Sequence, residues 1–380
     1  MKVLTIGTDR KLFEERSAVQ MRSIEYASKM EELHIIVFST KEQNYKSISI
    51  GNLHIYPTNS GTLFNYIFDT FSLGKKIIPG NKFVLGDSVI SAQDPFETGL
   101  VGYFLKMKFN FPFQIQIHTD LFSPYFKNSF INYIRVFIAK FLIPKASGIR
   151  VVSETIKDSI KRKFPRLNVN PEILPIFVDM EKIMNTPPKK DIMADFPQFK
   201  FIIFMASRLS EEKRIDIALD MMKNLLSEFP YIGLIIAGEG PQKSNLENKV
   251  KKLGLTKTVV FIGWQDDLIS YYKTANIFLL TSEYEGYGMT LIEAGASGCP
   301  IVTTKVGIAG TSLFINGENS FVCPVGDTDC ILESILQLFR DNEKRQLFKR
   351  EMGDSIKKRA ISKEEYIQKY VSLLEYLIQK

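Results

Sequence analysis

The chain has 380 residues, of which 45% are hydrophobic and 24% charged, enough material for two ordinary cores and unlike a disordered or membrane-spanning polypeptide. Its formal net charge of +7 is unevenly placed: residues 1–200 hold 27 Lys/Arg against 19 Asp/Glu, and residues 201–380 hold 22 against 23. A basic first half suits a polyanionic partner, whether nucleic acid, an anionic membrane surface or a phosphorylated acceptor.

In chain order, residues 1–7 (MKVLTIG) read as a buried first strand, too short for a signal peptide. Further strands are predicted at His34–Ser39, Leu53–Tyr56, Val89–Ala92, Phe113–His118, Gly148–Val152 and Glu172–Pro175, with Ser17–Met30 as the first helix. From Phe177 to Gln198 the sequence turns polar and Pro-containing, which predicts a linker. The alternation then restarts with strands at Phe201–Ala206, Gly233–Ala237, Val259–Ile262, Ile277–Thr281, Ile301–Thr303 and Ser320–Val322, and helices including Ile215–Glu228 and Met289–Ser297. Strand–helix alternation of this kind specifies parallel α/β architecture. Two Rossmann-like halves are expected: 1–177, 178–360, and a helix over 361–380 that docks back on the first half through Tyr366, Tyr370, Leu373, Leu374 and Leu377. A cleft between the halves is expected to hold the ligands, at the carboxyl ends of the strands.

No run reaches the roughly 18 uncharged apolar residues of a spanning helix. Cys299, Cys323 and Cys330 form no CxxC pair, and with only three scattered histidines they argue against structural zinc and for a reducing, cytoplasmic compartment. His34 and His54 fall inside strand patterns and read as packing residues. Asp327-Thr328-Asp329 opens a helical pattern and reads as a helix cap, so neither a metal nor a cofactor is expected.

The sharpest chemical signal is residues 282–300, SEYEGYGMTLIEAGASGCP, which follow an apolar strand and run into a helix. Gly286 and Gly288 let a ligand approach the backbone, and the helix start at Met289 and Thr290 offers unpaired N–H groups to a phosphate. Glu285 precedes the helix and Glu293 lies inside it. A rise of about 1.5 Å per residue plus the turn sets the two carboxylates about 7–10 Å apart, so they can grip two parts of one extended ligand. Earlier, Arg208 and Lys213 follow the strand Phe201–Ala206 in the loop ASRLSEEKR, a fork and a point charge suited to a diphosphate.

These residues resemble the E-x7-E and G-R-L-x-x-E-K-G segments of the retaining family 4 glycosyltransferases (glycosyl transferases group 1), which have the GT-B fold. The resemblance spans roughly residues 145–325 and includes Gly238 in AGEGP, Gly263 and Trp264 in FIGW, and Ser153 in VSE. It implies transfer from a nucleotide-diphosphate sugar, with Glu285 on the sugar, Glu293 on the ribose, residues 286–289 (GYGM, including Tyr287) facing sugar and diphosphate, and Arg208 and Lys213 on the phosphates. It also implies that His118 positions the acceptor hydroxyl, with Gly7, Asp9, Arg10 and Ser153 on the acceptor side. Several positions depart from the family pattern: Ser207 and Arg214 replace glycines, the first loop reads Gly7-Thr8-Asp9-Arg10, no Glu follows Gly307 before Glu318, and Ser320 replaces a Gly.

The segment 124–146 (PYFKNSFINYIRVFIAKFLIPKA) places aromatic and branched residues around much of a helix, with Lys127, Arg135, Lys140 and Lys145 between them. It suits either a buried core helix with extended basic side chains or an interfacial helix on anionic lipid. The expected partners are thus a nucleotide-sugar donor, a glycan or lipid-linked acceptor and an anionic membrane surface on the inner face of the cell membrane. No nucleic-acid motif accompanies the basic half.

Overall fold

The computed structural model describes every residue except Asn128. The chain forms two compact units, Met1–Pro175 with Ser362–Lys380, and Ile176–Ile361.

In the first unit the strands are β1 (Lys2–Gly7), β2 (Glu32–Val37), β3 (Ile48–Ile50), β4 (Leu53–Pro57), β5 (Ser88–Ala92), β6 (Phe113–Ile117), β7 (Gly148–Val151) and β8 (Glu172–Ile173). Among the described residues they form one sheet in the order β3-β4-β2-β1-β5-β6-β7-β8, parallel throughout except for β3 against β4. The central strands are buried along nearly their whole length because helices cover both faces, and the polar Ser88, Ser91, Gln114 and Gln116 are buried with them. Those helices include α1 (Ala18–Ala27), α2 (Tyr66–Gly80), α3 (Glu97–Phe109), α4 (Phe130–Leu142) and α5 (Glu154–Lys163). Ser17, Ser129 and Ser153 cap α1, α4 and α5 with their hydroxyls, satisfying N–H groups that have no partner inside the helix.

The second unit carries β9 (Phe201–Ala206), β10 (Ile232–Ala237), β11 (Val259–Gly263), β12 (Ile277–Leu280), β13 (Ile301–Thr304) and β14 (Phe321–Cys323). These form an all-parallel sheet in the order β11-β10-β9-β12-β13-β14. In both sheets the chain winds outward from a central strand and then returns to its other side. The order therefore switches between β1 and β5 in the first unit and between β9 and β12 in the second, the places where such sheets open a crevice for ligands. Both units are thus Rossmann-like α/β domains.

Several expectations are corrected. Strand β3 is unforeseen: three residues joined to β4 through Gly51, whose φ of +54° supplies the tight turn. Strand β6 ends at Ile117, so His118 lies just past it. The predicted linker is mostly ordered, with helices Met180–Asn185 and Ile192–Asp195 capped by Asp179 and Asp191. Lys273 fastens it to the second unit by donating to the carbonyls of Met184 and Thr186. Finally, Cys323 and Cys330 form a disulfide, because the turn between β14 and the helix Thr328–Arg340 brings their Cα atoms to 5.8 Å. Cys299 is free and buried. The cysteines therefore no longer argue for a reducing compartment. Asp327 caps the helix between them, accepting from the Cys330 N–H at 2.9 Å.

The C-terminal helix Lys363–Gln379 belongs to the first unit and packs on β5, β6 and α1. Its buried face is Tyr366, Ile367, Tyr370, Val371, Leu374 and Leu377, with Leu373 half-buried. What locks it is Arg150 on β7, only 6% exposed. The guanidinium donates to Gln116 Oε1 at 2.8 Å, to the carbonyls of Leu174 and Pro175 at 3.2 Å, and to the Tyr366 hydroxyl at 2.8 Å. Tyr366 in turn donates to the Pro175 carbonyl at 2.8 Å, and the Tyr370 ring lies under the guanidinium at 5.5 Å. A buried cation without a carboxylate depends on such neutral acceptors and on the ring face. Tyr366→Phe should therefore destabilise the first unit by about 1–3 kcal/mol, read as a lower urea midpoint at unchanged m-value.

Candidate active site

The two loops at the β9/β12 switch point define the site in the second unit. After β9 the chain passes Arg208, a single turn at Glu211–Lys213, and enters the helix Ile215–Glu228. After β12 it passes residues 281–288 and enters the helix Met289–Ala296. Because β9 and β12 are paired, the loops lie side by side and are stitched together by backbone. The Glu283 N–H donates to the Glu212 carbonyl at 2.9 Å, and the Thr281 hydroxyl donates to the carbonyls of Lys213 and Arg214 at 2.9 Å each.

This stitching brings Lys213 Nζ to 2.8 Å from Glu285 Oε1, both side chains being mostly buried. The Ser282 hydroxyl donates to the same carboxylate oxygen at 2.7 Å. Arg208 stands exposed on the neighbouring loop, so the site combines one anchored and one solvent-facing cation. The left-handed φ of Gly288 (+95°) turns the chain into the helix Met289–Ala296, whose first N–H groups lack a side-chain cap. Unpaired N–H groups and the positive helix end favour an anion there. Tyr287 is buried just before that turn and Thr290 lies in the first helical turn. Glu293 sits deeper, receiving the hydroxyl of the fully buried Tyr272 at 3.5 Å; burial raises its carboxyl above the ordinary range. Glu285 and Glu293 thus have separate partners and do not share a proton.

The remaining residues that the resemblance assigns to the donor lie at or just past the adjoining strand ends. Gly238, with φ +131°, follows β10, and a Cβ there would come within 1.9 Å of the Ser207 carbonyl oxygen. Its N–H donates to the Gly263 carbonyl at 2.7 Å, joining the ends of β10 and β11. Trp264 is exposed and donates to Asp266 Oδ1 at 3.0 Å. At Ser207 and Arg214, two of the positions where the sequence departs from glycine, the structure compensates in one and not in the other. Arg214 holds a left-handed conformation (φ +46°) that costs a non-glycine residue about 1–2 kcal/mol, but its guanidinium pairs with Asp216 at 3.0 Å and with Glu283. The Ser207 hydroxyl is buried without a hydrogen-bond partner among the described residues.

In the first unit the sequence-predicted residues fall along one row of strand ends, those of β1, β6 and β7. Gly7 ends β1, His118 follows β6 and Ser153 follows β7. A Cβ on Gly7 would overlap the end of the Gln93 side chain at 2.2 Å, so a larger residue here would have to displace that amide. Asp9 and Arg10 are locally engaged: Asp9 accepts from the Lys11 N–H at 3.1 Å, and Arg10 donates to the Phe38 carbonyl and the Tyr66 hydroxyl at 3.2 Å. Ser153 is chiefly the α5 cap. Burial, aided by Arg150 and Arg22, lowers the His118 pKa to about 4, so its imidazole is neutral at physiological pH and able to accept or donate a hydrogen bond.

Sequence reasoning missed Asp94, which lies past β5 in the same row, between the ends of β1 and β6. Its signal was Asp94-Pro95 directly after a buried strand. Burial raises its carboxyl to about 6, against hydrogen bonds from the Phe96 N–H (2.8 Å) and Thr98. A folded pKa above the unfolded one means the native state holds its proton longer. Stability is thus lost as pH rises from about 4 to about 6, and above that window the ionised group is a standing cost. Asp94→Asn should therefore raise the melting temperature at pH 7.5, with the gain vanishing below about pH 4. Thermal scans across pH check this; an unchanged melting temperature at pH 7.5 would contradict it.

The chain as a whole resembles known proteins. Residues 189–352 match the family model described as glycosyl transferases group 1. The chain is 26% identical over 319 residues to an uncharacterised glycosyltransferase of Methanocaldococcus jannaschii, covering 83% of this chain and 82% of that one. It is 25% identical over 225 residues to the N-acetylgalactosamine-N,N'-diacetylbacillosaminyl-diphospho-undecaprenol 4-alpha-N-acetylgalactosaminyltransferase of Campylobacter jejuni, a match spanning 59% of this chain and 60% of that one. Among solved structures, sucrose-phosphate synthase of Thermosynechococcus elongatus superposes with a TM-score of 0.82 at 18% identity, over 99% of both chains. Anabaena HepE, solved with UDP and glucose, superposes with a TM-score of 0.76 at 18% identity, over 99% of this chain and 100% of that one. Residues 189–352 are thus a glycosyl transferases group 1 domain, set in a chain with the GT-B fold of the glycosyltransferases.

Proposed function

We infer that this chain transfers a sugar from a nucleoside-diphosphate donor, with retention at the anomeric carbon, to a lipid-linked or membrane-proximal glycan. The observation that carries the donor half is the Lys213–Glu285 contact at the β9/β12 switch point, beside Arg208 and an uncapped helix start. In the reaction the bond from the anomeric carbon to the diphosphate breaks and one to the acceptor oxygen forms on the same face, while the acceptor proton passes to the departing diphosphate. Arg208, Lys213 and the helix N–H groups stabilise the charge that grows on that leaving group. Glu285, its Oε1 fixed by Lys213 and Ser282, keeps Oε2 for a sugar hydroxyl. Glu293 is assigned to the ribose and neutral His118 to the acceptor hydroxyl. With two cations at the diphosphate, a divalent ion there is unnecessary. HepE's ligands, UDP and glucose, fit this reading.

Release of nucleoside diphosphate from a panel of nucleotide sugars tests the proposal. Lys213→Ala and Glu285→Ala should each lower turnover by about two orders of magnitude or more, and the wild type should keep its activity in EDTA. Wild-type turnover in a folded variant would remove the assignment.

The acceptor half rests on the surface of the first unit. Helix α3 lies between α2 and α4, and together with the turn before α2 the three expose Phe64 (87%), Phe68 (75%), Met107 (65%), Phe130 (79%) and Phe137 (75%). Of α4 only Val136, Ala139 and Leu142 are buried, so the core-helix alternative is overturned. Lys75, Lys108 and Lys140 are exposed on the same helices, whereas Arg135 is tied to Glu97 at 3.0 Å. An apolar face edged by lysines suits an anionic lipid surface, each lysine adding about 1 kcal/mol. The Campylobacter relative's name, which includes a diphospho-undecaprenol acceptor, supports the same class. Among the described residues no helix is long and apolar enough to cross a membrane, so attachment would be peripheral. Phosphatidylglycerol vesicles should float the wild type. Replacing Phe64, Phe68, Phe130 and Phe137 with Ser should abolish the salt-resistant part and spare donor hydrolysis. No flotation at low salt would favour a soluble acceptor.

A further inference from the structure

At the opposite end of the first sheet from the transfer chemistry stands a cluster that the proposed function does not use. Glu32 and His34 alternate on one face of β2, and the parallel register sets His34 directly opposite His54 on β4. Two of the three histidines in the chain thereby stack, with ring centroids 4.7 Å apart. One ligand atom from each of Glu32, His34 and His54 lies within 4.8 Å of the other two. His34 is fully buried, while Glu32 and His54 are half-buried, so the cluster is walled on one side and open to solvent on the other.

We propose that Glu32, His34 and His54 form a three-ligand site for a transition-metal cation of the zinc class. Two imidazoles and one carboxylate suit zinc, cobalt or nickel rather than magnesium or calcium, which need more oxygen ligands. The surroundings are built for ligation. The Nδ1 of His34 lies 3.0 Å from the Tyr56 hydroxyl, and the Nδ1 of His54 lies 2.9 Å from the Ser49 hydroxyl, which β3 brings opposite it. A hydroxyl donates or accepts as required. Without a cation, His34 Nε2–H donates to Glu32 Oε2 at 3.0 Å and Tyr56 donates to Nδ1. With one, each Nδ1–H donates to its hydroxyl, and both Nε2 lone pairs turn to the metal, oriented as metal-binding histidines are. Lys2 sits on Glu32 at 3.1 Å but also holds Glu31 at 3.3 Å and the Asn81 carbonyl at 2.8 Å, so it keeps partners when Glu32 turns to the cation. Water completes the coordination from the open side. Such a cation would pin the edge hairpin β3–β4 to β2 within the first unit.

The test uses the full chain, purified without a histidine tag and stripped with chelator. Cobalt titration should give visible bands saturating at one equivalent and displaced by zinc, and zinc should raise the melting temperature. His54→Gln, at a half-buried position, should weaken cobalt affinity at least about a hundredfold, and Tyr56→Phe by about ten- to a hundredfold, with turnover unchanged in both. X-ray absorption of the zinc-loaded wild type, which needs no variant, should show two imidazoles among ligands at about 2.0 Å. An all-oxygen shell, the absence of one-equivalent binding, or undiminished binding by folded His54→Gln would overturn the site.

Discussion

The ion pair of Lys213 with Glu285 is the contact on which the proposed donor site depends, and it exists because two parallel strands distant in sequence are neighbours in the sheet. Each residue lies in the loop past its strand, and the strand order places those loops together only at the switch between β9 and β12. The carboxylate at position 285 is held by a cation from the other loop, Lys213, and by a hydroxyl from its own, Ser282. The neighbouring Arg214 also ties the two loops together, its pairs with Asp216 and Glu283 offsetting a strained backbone where a glycine would have been free of strain. A site built this way is rigid at its base and open at Arg208, which suits a ligand that arrives with two phosphates.

The first unit applies the same logic with different chemistry. Its strand ends carry Asp94 and neutral His118, both shifted by burial and both short of positive charge of their own. In the proposed reading, groups poised in this way orient a hydroxyl while the second unit holds the diphosphate. Behind them Arg150 spends its donors on carbonyls and Tyr366, so the last helix of the chain belongs structurally to the first residues. The exposed aromatic face of α2, α3 and α4 lies on this unit too, so acceptor chemistry and membrane contact share one scaffold in the proposed reading.

Much of this was legible in residues 282–300 and 206–214, because local chemistry is written locally there: a buried strand, a glycine turn, a helix start and charges at fixed offsets. Strand β9 and the helix Ile215–Glu228 begin and end where the apolar pattern does. What escaped the sequence depends on pairing between separated segments. His34 and His54 looked like isolated packing residues until the β2–β4 register set them face to face. Cys323 and Cys330 gave no familiar spacing, yet a strand-to-helix turn closes the distance. Strand β3 was too short to show alternation. Asp94 showed in the sequence only as an Asp-Pro pair after a buried strand, and its burial in the fold is what marks it out. Segment 124–146 was ambiguous for another reason: an all-round apolar helix reads alike whether a core or a surface receives it, and only its packing on the sheet decides which side faces out.

The central claim is that Lys213 and its neighbours receive a nucleoside diphosphate. Isothermal titration of UDP, GDP, ADP and dTDP into the wild-type chain and into folded Lys213→Ala measures this without any acceptor. We expect at least one diphosphate to bind the wild type, and Lys213→Ala to weaken that binding by about tenfold or more. Binding of none, or equally tight binding to the variant, would contradict it.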